Sequence, residues 1–189
     1  MKISGILLAA GLSRRMNGKD KLLLLYNGET LLQRAVNLLN ALPLHEKIIV
    51  TTSARLESVT LSPLIKAVIN PNPEEGQSVS LRLGIKASAG DGFIFLNADQ
   101  PKLTPGDIIP LLESAVNNAG KIIYAAVNGS PRPPTVFPPE YKPGLLALSG
   151  GIGGREIRNA NPEACIAIEA RNPCNFKDID SEDDYRNIN

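Results

Sequence analysis

Short apolar runs rich in isoleucine and valine alternate with amphipathic helical patterns along most of this chain. Such runs are typical of strands buried on both faces of a sheet, and their alternation with helices indicates parallel strands joined by helical crossovers. The pattern therefore predicts a parallel sheet covered by helices. The predicted strands are residues 3–9, 47–51, 65–69, 92–97, 121–127 and 165–170.

Helices are predicted between these strands from capping residues and apolar stripes. Thr30 and Gln33 form a capping-box pattern before a stripe of apolar side chains, which predicts a helix that continues to Leu42. Pro105 suits the first turn of a later helix, and Gly120 suits the position after its end. The predicted helices are residues 30–42, 77–88, 105–119, 145–148, 154–159 and 181–187.

A proline-rich stretch from residue 128 to residue 143 interrupts this alternation. Its prolines restrict the backbone and remove hydrogen-bond donors, so we expect an irregular loop or a hairpin insertion there. They are Pro131, Pro133, Pro134, Pro138, Pro139 and Pro143.

The charge balance and the short apolar runs exclude several classes of protein. With 189 residues, 43% of them hydrophobic, residues 1–189 are expected to form one domain. The 20 basic and 19 acidic side chains give a net charge of +1, which predicts no binding to nucleic acid or membrane. No apolar run approaches the roughly 20 residues that cross a bilayer, and residues 1–4 resemble a strand rather than a signal peptide. We therefore expect a cytoplasmic protein.

The two cysteines do not form a metal-binding pattern. Cys165 and Cys174 have no second pair, and His45 is the only histidine, so the spacing of zinc ligands is absent. We expect both to be free thiols, as is usual in the cytosol.

A turn of small residues and cations follows the first predicted strand. It reads Ala9-Ala10-Gly11-Leu12-Ser13-Arg14-Arg15-Met16-Asn17-Gly18, with Lys19 and Lys21 after it. Small residues let backbone N–H groups approach an anion, and the cations can add charge-assisted hydrogen bonds to phosphate. The turn matches neither the G-x-G-x-x-G dinucleotide pattern nor the G-x-x-x-x-G-K-[ST] loop. We interpret it as a phosphate-binding turn; the alternative is an ordinary turn with a solvated basic face.

A carboxylate follows the predicted strand at residues 92–97. In open parallel sheets, ligands bind beyond the carboxyl ends of the strands, where Asp99 is expected to point. A hard oxygen ligand at that position can hold Mg²⁺ against substrate phosphates. The alternative is that Asp99 caps the turn formed by Gln100 and Pro101.

Two more polar segments are candidates for the same site. The loop from Asn70 to Ser80 carries amides and hydroxyls that can read a base or a ribose, although Ser78 can equally act as a helix cap. The cluster from Asp178 to Asp184 can supply a second metal ligand, or it can be a solvated helix start that the helix dipole favours.

In this order, the segments resemble the MobA-like nucleotidyltransferase family, most closely its molybdenum cofactor cytidylyltransferase branch. Leu8-Ala9-Ala10-Gly11 with Arg15-Met16 and Lys21 is similar to the family's triphosphate loop. Ala98-Asp99-Gln100-Pro101 is similar to its metal motif, and the segment from Asp178 to Asp184 to its C-terminal acidic motif. The resemblance spans essentially the whole chain. It implies a three-layer α/β/α fold with a mostly parallel, Rossmann-like sheet of the nucleotide-diphospho-sugar transferase type.

The resemblance also implies a reaction. In the family, the phosphate of a small acceptor attacks the α-phosphorus of a nucleoside triphosphate and releases pyrophosphate, with Mg²⁺ (or Mn²⁺) stabilising the charge. Arg15, Lys21 and Asp99 would be catalytic, and Asp99 with Asp180 or Asp178 would hold the metal. The nucleotide would contact Ala9, Ala10, Gly11, Ser13, Arg14, Arg15, Lys21, Asn70, Ser78 and Ser80. Positioning and electrostatics carry such chemistry, so no protein nucleophile is required.

Substrate choice follows from the same resemblance. Cytidylyl members carry Leu-Ala-Ala-Gly where guanylyl members tend to carry Leu-Ala-Gly-Gly, so Ala10 favours CTP over GTP. The small phosphorylated acceptor, of molybdopterin type, would contact Gly129, Ser130, Pro131 and Arg132. This chain has Gly-Ser-Pro where the branch usually has Gly-His-Pro, and Arg132 adds a cation for an acidic acceptor. A molybdoenzyme or a cofactor-carrier protein is the implied protein partner.

Two other functions stay open on the sequence. A sugar-phosphate or alcohol-phosphate nucleotidyltransferase shares the first loop but normally differs in the other motifs. A nucleotide-binding or cofactor-binding module without catalysis is indicated by Ser130 in place of the histidine.

Overall fold

The computed structural model describes residues 1–13, 15–16 and 18–188. Within them the strands are β1 (Ile3–Ala9), β2 (Leu25–Tyr26), β3 (Glu29–Thr30), β4 (Glu46–Thr51), β5 (Ile65–Ile69), β6 (Gly92–Asn97), β7 (Ile122–Val127), β8 (Ser130–Phe137) and β9 (Cys165–Glu169). The helices are α1 (Leu31–Ala41), α2 (Ser53–Glu57), α3 (Gln77–Ala87), α4 (Pro105–Asn117), α5 (Lys142–Ala147), α6 (Arg155–Ala160) and α7 (Glu182–Arg186). Most predicted bounds agree to within two residues, whereas α2, β2, β3 and β8 were not predicted.

The main sheet has the strand order β5-β4-β1-β6-β8-β7-β9. β1 pairs in parallel with β4 and β6, β4 with β5, and β7 with β9, so the predicted parallel character of the sheet is confirmed. β8 runs antiparallel to both of its neighbours. Because parallel strands end at the same edge of a sheet, the residues that follow β1, β4 and β6 meet there.

Helices cover both faces of this sheet. Successive side chains of a strand point to opposite faces, which is why the buried strands are continuous apolar runs. Leu7 of β1 packs with Leu39 of α1 in one buried cluster, which α4 completes. Its neighbour Ile6 packs with Leu81 of α3 in the other cluster. The three-layer α/β/α fold is therefore confirmed.

β8 lies within the proline-rich stretch, at residues 130–137. The expected irregular loop is wrong, and the hairpin is found instead, with β8 inside the main sheet between β6 and β7. Pairing with β7 skips the two residues between Arg132 and Thr135. Pro133 and Pro134 therefore lie in a bulge, where a missing N–H removes no ladder hydrogen bond. This bulge explains how Pro133 and Pro134 are accommodated inside the sheet.

None of the helices in the described part of the chain has the length and apolar character needed to span a membrane. Both cysteines are free thiols, as expected.

Candidate active site

An open cleft of about 390 Å³ lies beyond the carboxyl ends of β1 and β6. Its walls are the turn after β1, the end of β6, the start of α3 and the segment before α7. The fold therefore brings the four segments that the sequence singled out to one cleft. The predicted site residues that line the cleft are Ala10, Gly11, Ser13, Arg15, Lys21, Ser80, Asp99 and Asp180.

A lysine held between two aspartates forms the charged centre of the cleft. Lys21 Nζ lies 2.6 Å from Asp99 Oδ2 and 3.0 Å from Asp180 Oδ1. Burial alone would lower the pKa of Lys21, but the charges and hydrogen bonds of Asp99 and Asp180 outweigh it and raise that pKa above its ordinary value. Arg15 Nη2 lies 3.0 Å from Asp180 Oδ2. Carboxylates therefore compensate the charges of Lys21 and Arg15.

Local structure carries Lys21 to this position. Asp20 caps a short 3₁₀ turn that begins at Lys21, and its Oδ1 accepts a hydrogen bond from Leu22 N at 3.0 Å. Met16, in the turn after β1, is fully buried and anchors that turn in the protein. A buried anchor and a capped turn thus hold the cation at the sheet edge.

The segment before α7 is attached to the end of β6. Ile179 N donates to the carbonyl oxygen of Asp99 at 2.9 Å, and Gln100 Nε2 donates to the carbonyl oxygen of Phe176 at 3.3 Å. Ser181 then caps α7 in a capping box with Asp184. These bonds place Asp180 beside Asp99. The Asp99 carboxylate contacts Lys21 rather than capping the Gln100-Pro101 turn.

Asp178 lies next to the charged centre and does not line the cleft. Burial, followed by the charges of Asp99 and Asp180, raises the pKa of Asp178 to about 6, against the opposing charges of Lys21 and Arg132. Its Oδ1 atom is buried and has no hydrogen-bond partner among the described residues. The pKa of Asp178 thus lies within reach of physiological pH.

The carboxylates fit a divalent metal ion that takes its remaining ligands from a substrate. Asp99 Oδ1 is buried and finds no hydrogen-bond donor in the part of the chain that the structure describes, so it is free to accept a cation. Mg²⁺ is usually bound by one or two carboxylates together with substrate phosphates. In the described residues no group of three or more His, Cys, Asp or Glu side chains is placed to hold a metal alone. Triphosphate oxygens would complete such a site.

Small residues form the part of the cleft next to β1. A Cβ atom added to Gly11 would meet no atom within 4 Å, so the folded chain itself leaves room for a side chain there. That open space allows an anion to approach the backbone closely. Ser80, in α3, also faces the cleft, and its Oγ accepts a hydrogen bond from Asn70 Nδ2 at 3.0 Å. Asn70 thus orients a residue of the cleft.

Other predicted nucleotide contacts lie behind the cleft wall. Ala9, Asn70 and Ser78 are buried and do not line it. The Ser78 N–H donates to the carbonyl oxygen of Gly150 at 3.2 Å, and the Ser78 side chain does not cap α3. Arg14 lies outside the described residues.

The four predicted acceptor residues form the exposed turn between β7 and β8 and the start of β8: Gly129, Ser130, Pro131 and Arg132. They do not line the cleft. β8 is nevertheless joined to the end of β6, because Gln100 Nε2 donates to the carbonyl oxygen of Pro133 at 3.4 Å. The positive charge of Arg132 also acts on Asp178. The acceptor turn therefore lies on the side of the acidic cluster.

Sequence reasoning missed Arg55, and it included Gly76 and Gln77 only as part of the loop from Asn70 to Ser80. Gly76 and Gln77 line the cleft at the start of α3. Arg55, in α2, is buried beneath the turn after β1. The available signal was position, because Arg55 follows the carboxyl end of β4 at the same sheet edge.

A mostly parallel α/β/α sheet with cations of a small-residue turn facing aspartates at its carboxyl edge is typical of transferases that bind nucleotides. The chain belongs to the MobA-like NTP transferase domain family, whose model matches residues 5–165. The class is therefore nucleotidyltransferase, as the motifs predicted.

Two relatives share 29% identity with this chain. Nicotine blue oxidoreductase of Paenarthrobacter nicotinovorans matches over 97% of this chain and 95% of its own length. A probable molybdenum cofactor guanylyltransferase of Rhodopirellula baltica matches over 64% of this chain and 59% of its own length.

Solved structures share the fold. Rv0371c from Mycobacterium tuberculosis H37Rv superposes with a TM-score of 0.82 at 21% identity, covering 99% of this chain and 97% of that protein. The nucleotidyl transferase Mth528 from Methanothermobacter thermautotroptrophicus superposes with a TM-score of 0.81 at 23% identity, covering 99% and 95%. The predicted fold of the nucleotide-diphospho-sugar transferase type is confirmed.

Proposed function

We propose that this protein transfers CMP from CTP to the phosphate of a molybdopterin-type acceptor and releases pyrophosphate, in a reaction that needs Mg²⁺ or Mn²⁺. The observation that carries the proposal is the contact of Lys21 with Asp99 and Asp180, 2.6 and 3.0 Å apart, inside the cleft. It joins a phosphate-binding cation to the carboxylates that suit a metal. We also propose that the reaction takes place in the cytoplasm.

The chemistry moves one nucleotidyl group between two oxygens. An oxygen of the acceptor phosphate bonds to the α-phosphorus of the nucleotide, and the bond from that phosphorus to the pyrophosphate oxygen breaks. The bound divalent ion would supply compensation for phosphate charge. Arg15 and Lys21 neutralise the triphosphate and the departing pyrophosphate, and the backbone at Gly11 approaches the phosphates.

Lys21 and Arg15 each pair with carboxylates of the cleft. The Lys21 ammonium lies between Asp99 and Asp180, and the Arg15 side chain, 72% exposed, pairs with Asp180. A divalent ion held by Asp99 and Asp180 would compensate the charge of these carboxylates, and both cations would then be available to the triphosphate.

The preference for CTP rests on Ala10. Ala10 lines the cleft and is almost fully buried. The family resemblance implies that guanylyl members tend to have a glycine at this position. Because one relative is named as a guanylyltransferase, GTP is the main alternative to CTP as the nucleotide substrate. Pyrophosphate release from CTP, GTP, ATP and UTP tests the choice. We expect CTP to be the best substrate and Ala10→Gly to shift the preference towards GTP; equal rates with all four would contradict the proposal.

The acceptor is proposed to be acidic because Arg132 lies at the exposed start of β8, where its charge acts on Asp178 of the acidic segment. A panel of molybdopterin, sugar phosphates and alcohol phosphates tests this choice in the presence of the preferred triphosphate. We expect molybdopterin to give the fastest release of pyrophosphate and Arg132→Ala to raise the acceptor KM. A faster reaction with a sugar phosphate would favour that alternative. A molybdoenzyme or a cofactor-carrier protein is the proposed recipient of the product.

A second candidate is a redox enzyme that uses the cleft for a nucleotide cofactor. The name of the relative that matches 97% of this chain, nicotine blue oxidoreductase, favours it. The two functions differ in what they consume. Oxidation of a reduced nicotinamide dinucleotide by a dye acceptor, together with no pyrophosphate release from any triphosphate, would replace the transferase proposal.

A further inference from the structure

Arg55 is a buried arginine whose donors converge on the turn after β1. Its side chain is 6% exposed. Nη1 donates to the carbonyl oxygen of Ala9 and Nη2 to that of Gly11, both at 2.7 Å. Nε and Nη2 also donate to the two carboxylate oxygens of Asp20, at 2.6 and 2.8 Å. One guanidinium therefore binds both the start and the end of the turn.

We call the hydrogen bonds of Arg55 with Ala9, Gly11 and Asp20 the Arg55 clamp. Asp20 extends this clamp to Lys21. Asp20 immediately precedes Lys21 and accepts a hydrogen bond from Leu22 N at 3.0 Å. The position of Lys21 is thus fixed relative to Gly11 through Arg55. Lysine cannot make the same set of bonds, because a planar guanidinium binds a carboxylate bidentately and still has donors for the carbonyl oxygens.

The clamp also controls what the turn presents to an anion. Carbonyl oxygens repel phosphate, whereas N–H groups attract it. The carbonyl oxygens of Ala9 and Gly11 are bound by Arg55 and are therefore not directed at a triphosphate. The buried charge of Arg55 is compensated by Asp20, as a buried charge requires.

We propose that Arg55 is a positioning residue that, with Asp20, sets the turn from Gly11 to Lys21 for triphosphate binding without touching the substrate. This inference rests on the proposed function of the cleft as a nucleoside triphosphate site. The inference goes beyond that function because it makes Arg55, a residue of α2, responsible for the shape of the triphosphate-binding turn.

The test compares Arg55→Lys with Arg158→Lys in the full chain. Arg158, in α6, is the matched control because it is also buried and does not line the cleft. Its guanidinium carbon lies 5.1 Å from the centroid of the Tyr124 ring, in β7. Steady-state pyrophosphate release gives kcat and KM for the triphosphate. Competition by inorganic tripolyphosphate gives the affinity for the phosphates alone, and thermal unfolding gives stability.

We expect Arg55→Lys to raise KM about 10-fold or more and to weaken tripolyphosphate by a similar factor, the size of one lost charge-assisted hydrogen bond, with a smaller change in kcat. Arg158→Lys should lower Tm but leave both constants within about twofold, as expected for a change remote from the ligand. Asp20→Asn should act in the same direction as Arg55→Lys. The double variant should lose little more than either single variant, because both remove one clamp.

Asp20→Asn keeps the inference testable if Arg55→Lys does not fold. A KM and a tripolyphosphate affinity that stay unchanged in a folded variant, with only Tm lowered, would show that Arg55 is merely structural and overturn the inference. A wild-type protein that binds neither triphosphate nor tripolyphosphate would instead overturn the proposed function itself. The two failures are therefore distinguished by the wild-type measurement.

Discussion

Lys21 Nζ lies 2.6 Å from Asp99 Oδ2, so the turn after β1 and the end of β6 share one ion pair in the cleft. Both side chains are largely buried, at 14% and 19% exposure, which weakens screening by salt and raises the cost of losing either partner. The predicted phosphate ligand and the predicted metal ligand are thus in direct contact. A divalent ion held by Asp99 would compensate its charge and leave the Lys21 ammonium available to a triphosphate.

Removing the charge of Lys21 should disable the cleft. We expect Lys21→Met to lower kcat/KM for the triphosphate by about 100-fold or more, because charge that develops on the departing phosphates loses its compensation. The Tm should also fall, since Asp99 would keep a buried, unpaired charge. Pyrophosphate release and thermal unfolding measure the two effects. Lys121→Met is the control: Lys121 is exposed, donates to the carbonyl oxygen of Glu163 at 3.0 Å and does not line the cleft, so little change is expected.

Neutralising Asp99 should remove metal-dependent turnover. We expect Asp99→Asn to reduce kcat by about 1000-fold, because an amide is a weaker ligand for a hard cation and cannot balance its charge. Binding of Mn²⁺ in the presence of a non-hydrolysable triphosphate, followed by electron paramagnetic resonance, should weaken in parallel. Asp107→Asn is the control, since Asp107 closes the capping box of α4 and does not line the cleft. A wild-type kcat in Asp99→Asn would contradict the assignment of Asp99 as a metal ligand.

A methyl group at position 11 should block the ligand without disturbing the fold. Because a Cβ at Gly11 meets no atom within 4 Å, Gly11→Ala is expected to keep the wild-type Tm. The same methyl would occupy the space through which phosphates approach the backbone, so the triphosphate KM should rise by about 10-fold or more. Calorimetric titration and thermal unfolding separate the two quantities.

Gly76 provides the opposite case in the same cleft. A Cβ there would lie 2.4 Å from the carbonyl oxygen of Gly150, and the backbone φ of Gly76 is +102°. Gly76→Ala should therefore lower the stability of the protein by about 1 to 3 kcal/mol. A large loss of stability in Gly11→Ala would contradict the prediction for that position.

Asp178 should make stability depend on pH in metal-free buffer. Its pKa is raised by burial from the ordinary 3.8 to about 6, so between these values the folded protein binds the proton more tightly than the unfolded chain does. This group therefore stabilises the fold below its unfolded pKa, and that contribution is lost as pH rises through about 6. Asp178→Asn should be more stable than the wild type above pH 6, by at most roughly 3 kcal/mol, and the gain should shrink on acidification.

Urea unfolding in chelator from about pH 4.5 to about pH 8 measures this difference. Asp183→Asn is the control, because the Asp183 side chain is 85% exposed in the same segment. A constant difference in the free energy of unfolding between Asp178→Asn and the wild type across that range would show that Asp178 does not titrate as inferred.

The regular elements were largely predictable because their signals are local. Buried parallel strands are continuous apolar runs, and the Thr30 side chain caps α1 as its pattern predicted, by accepting a hydrogen bond from Gln33 N. The strand β8 was not predictable in this way, since prolines argue against an internal strand unless a bulge receives them. The bulge at Pro133 and Pro134 depends on pairing with β7, which is a long-range contact.

The sequence by itself determined the composition of the site: the turn from Ala9 to Lys21, the carboxylate after β6 and the acidic segment at Asp178 to Asp184. Each follows from a residue type next to a local pattern. Only the tertiary structure decided which carboxylate meets Lys21, because the bond from Ile179 N to the carbonyl oxygen of Asp99 brings Asp180 into the cleft and leaves Asp178 outside its wall. It also decided the role of Arg55, since its position after β4 places it at this sheet edge but does not show that it is buried and bonded to the carbonyl oxygens of Ala9 and Gly11.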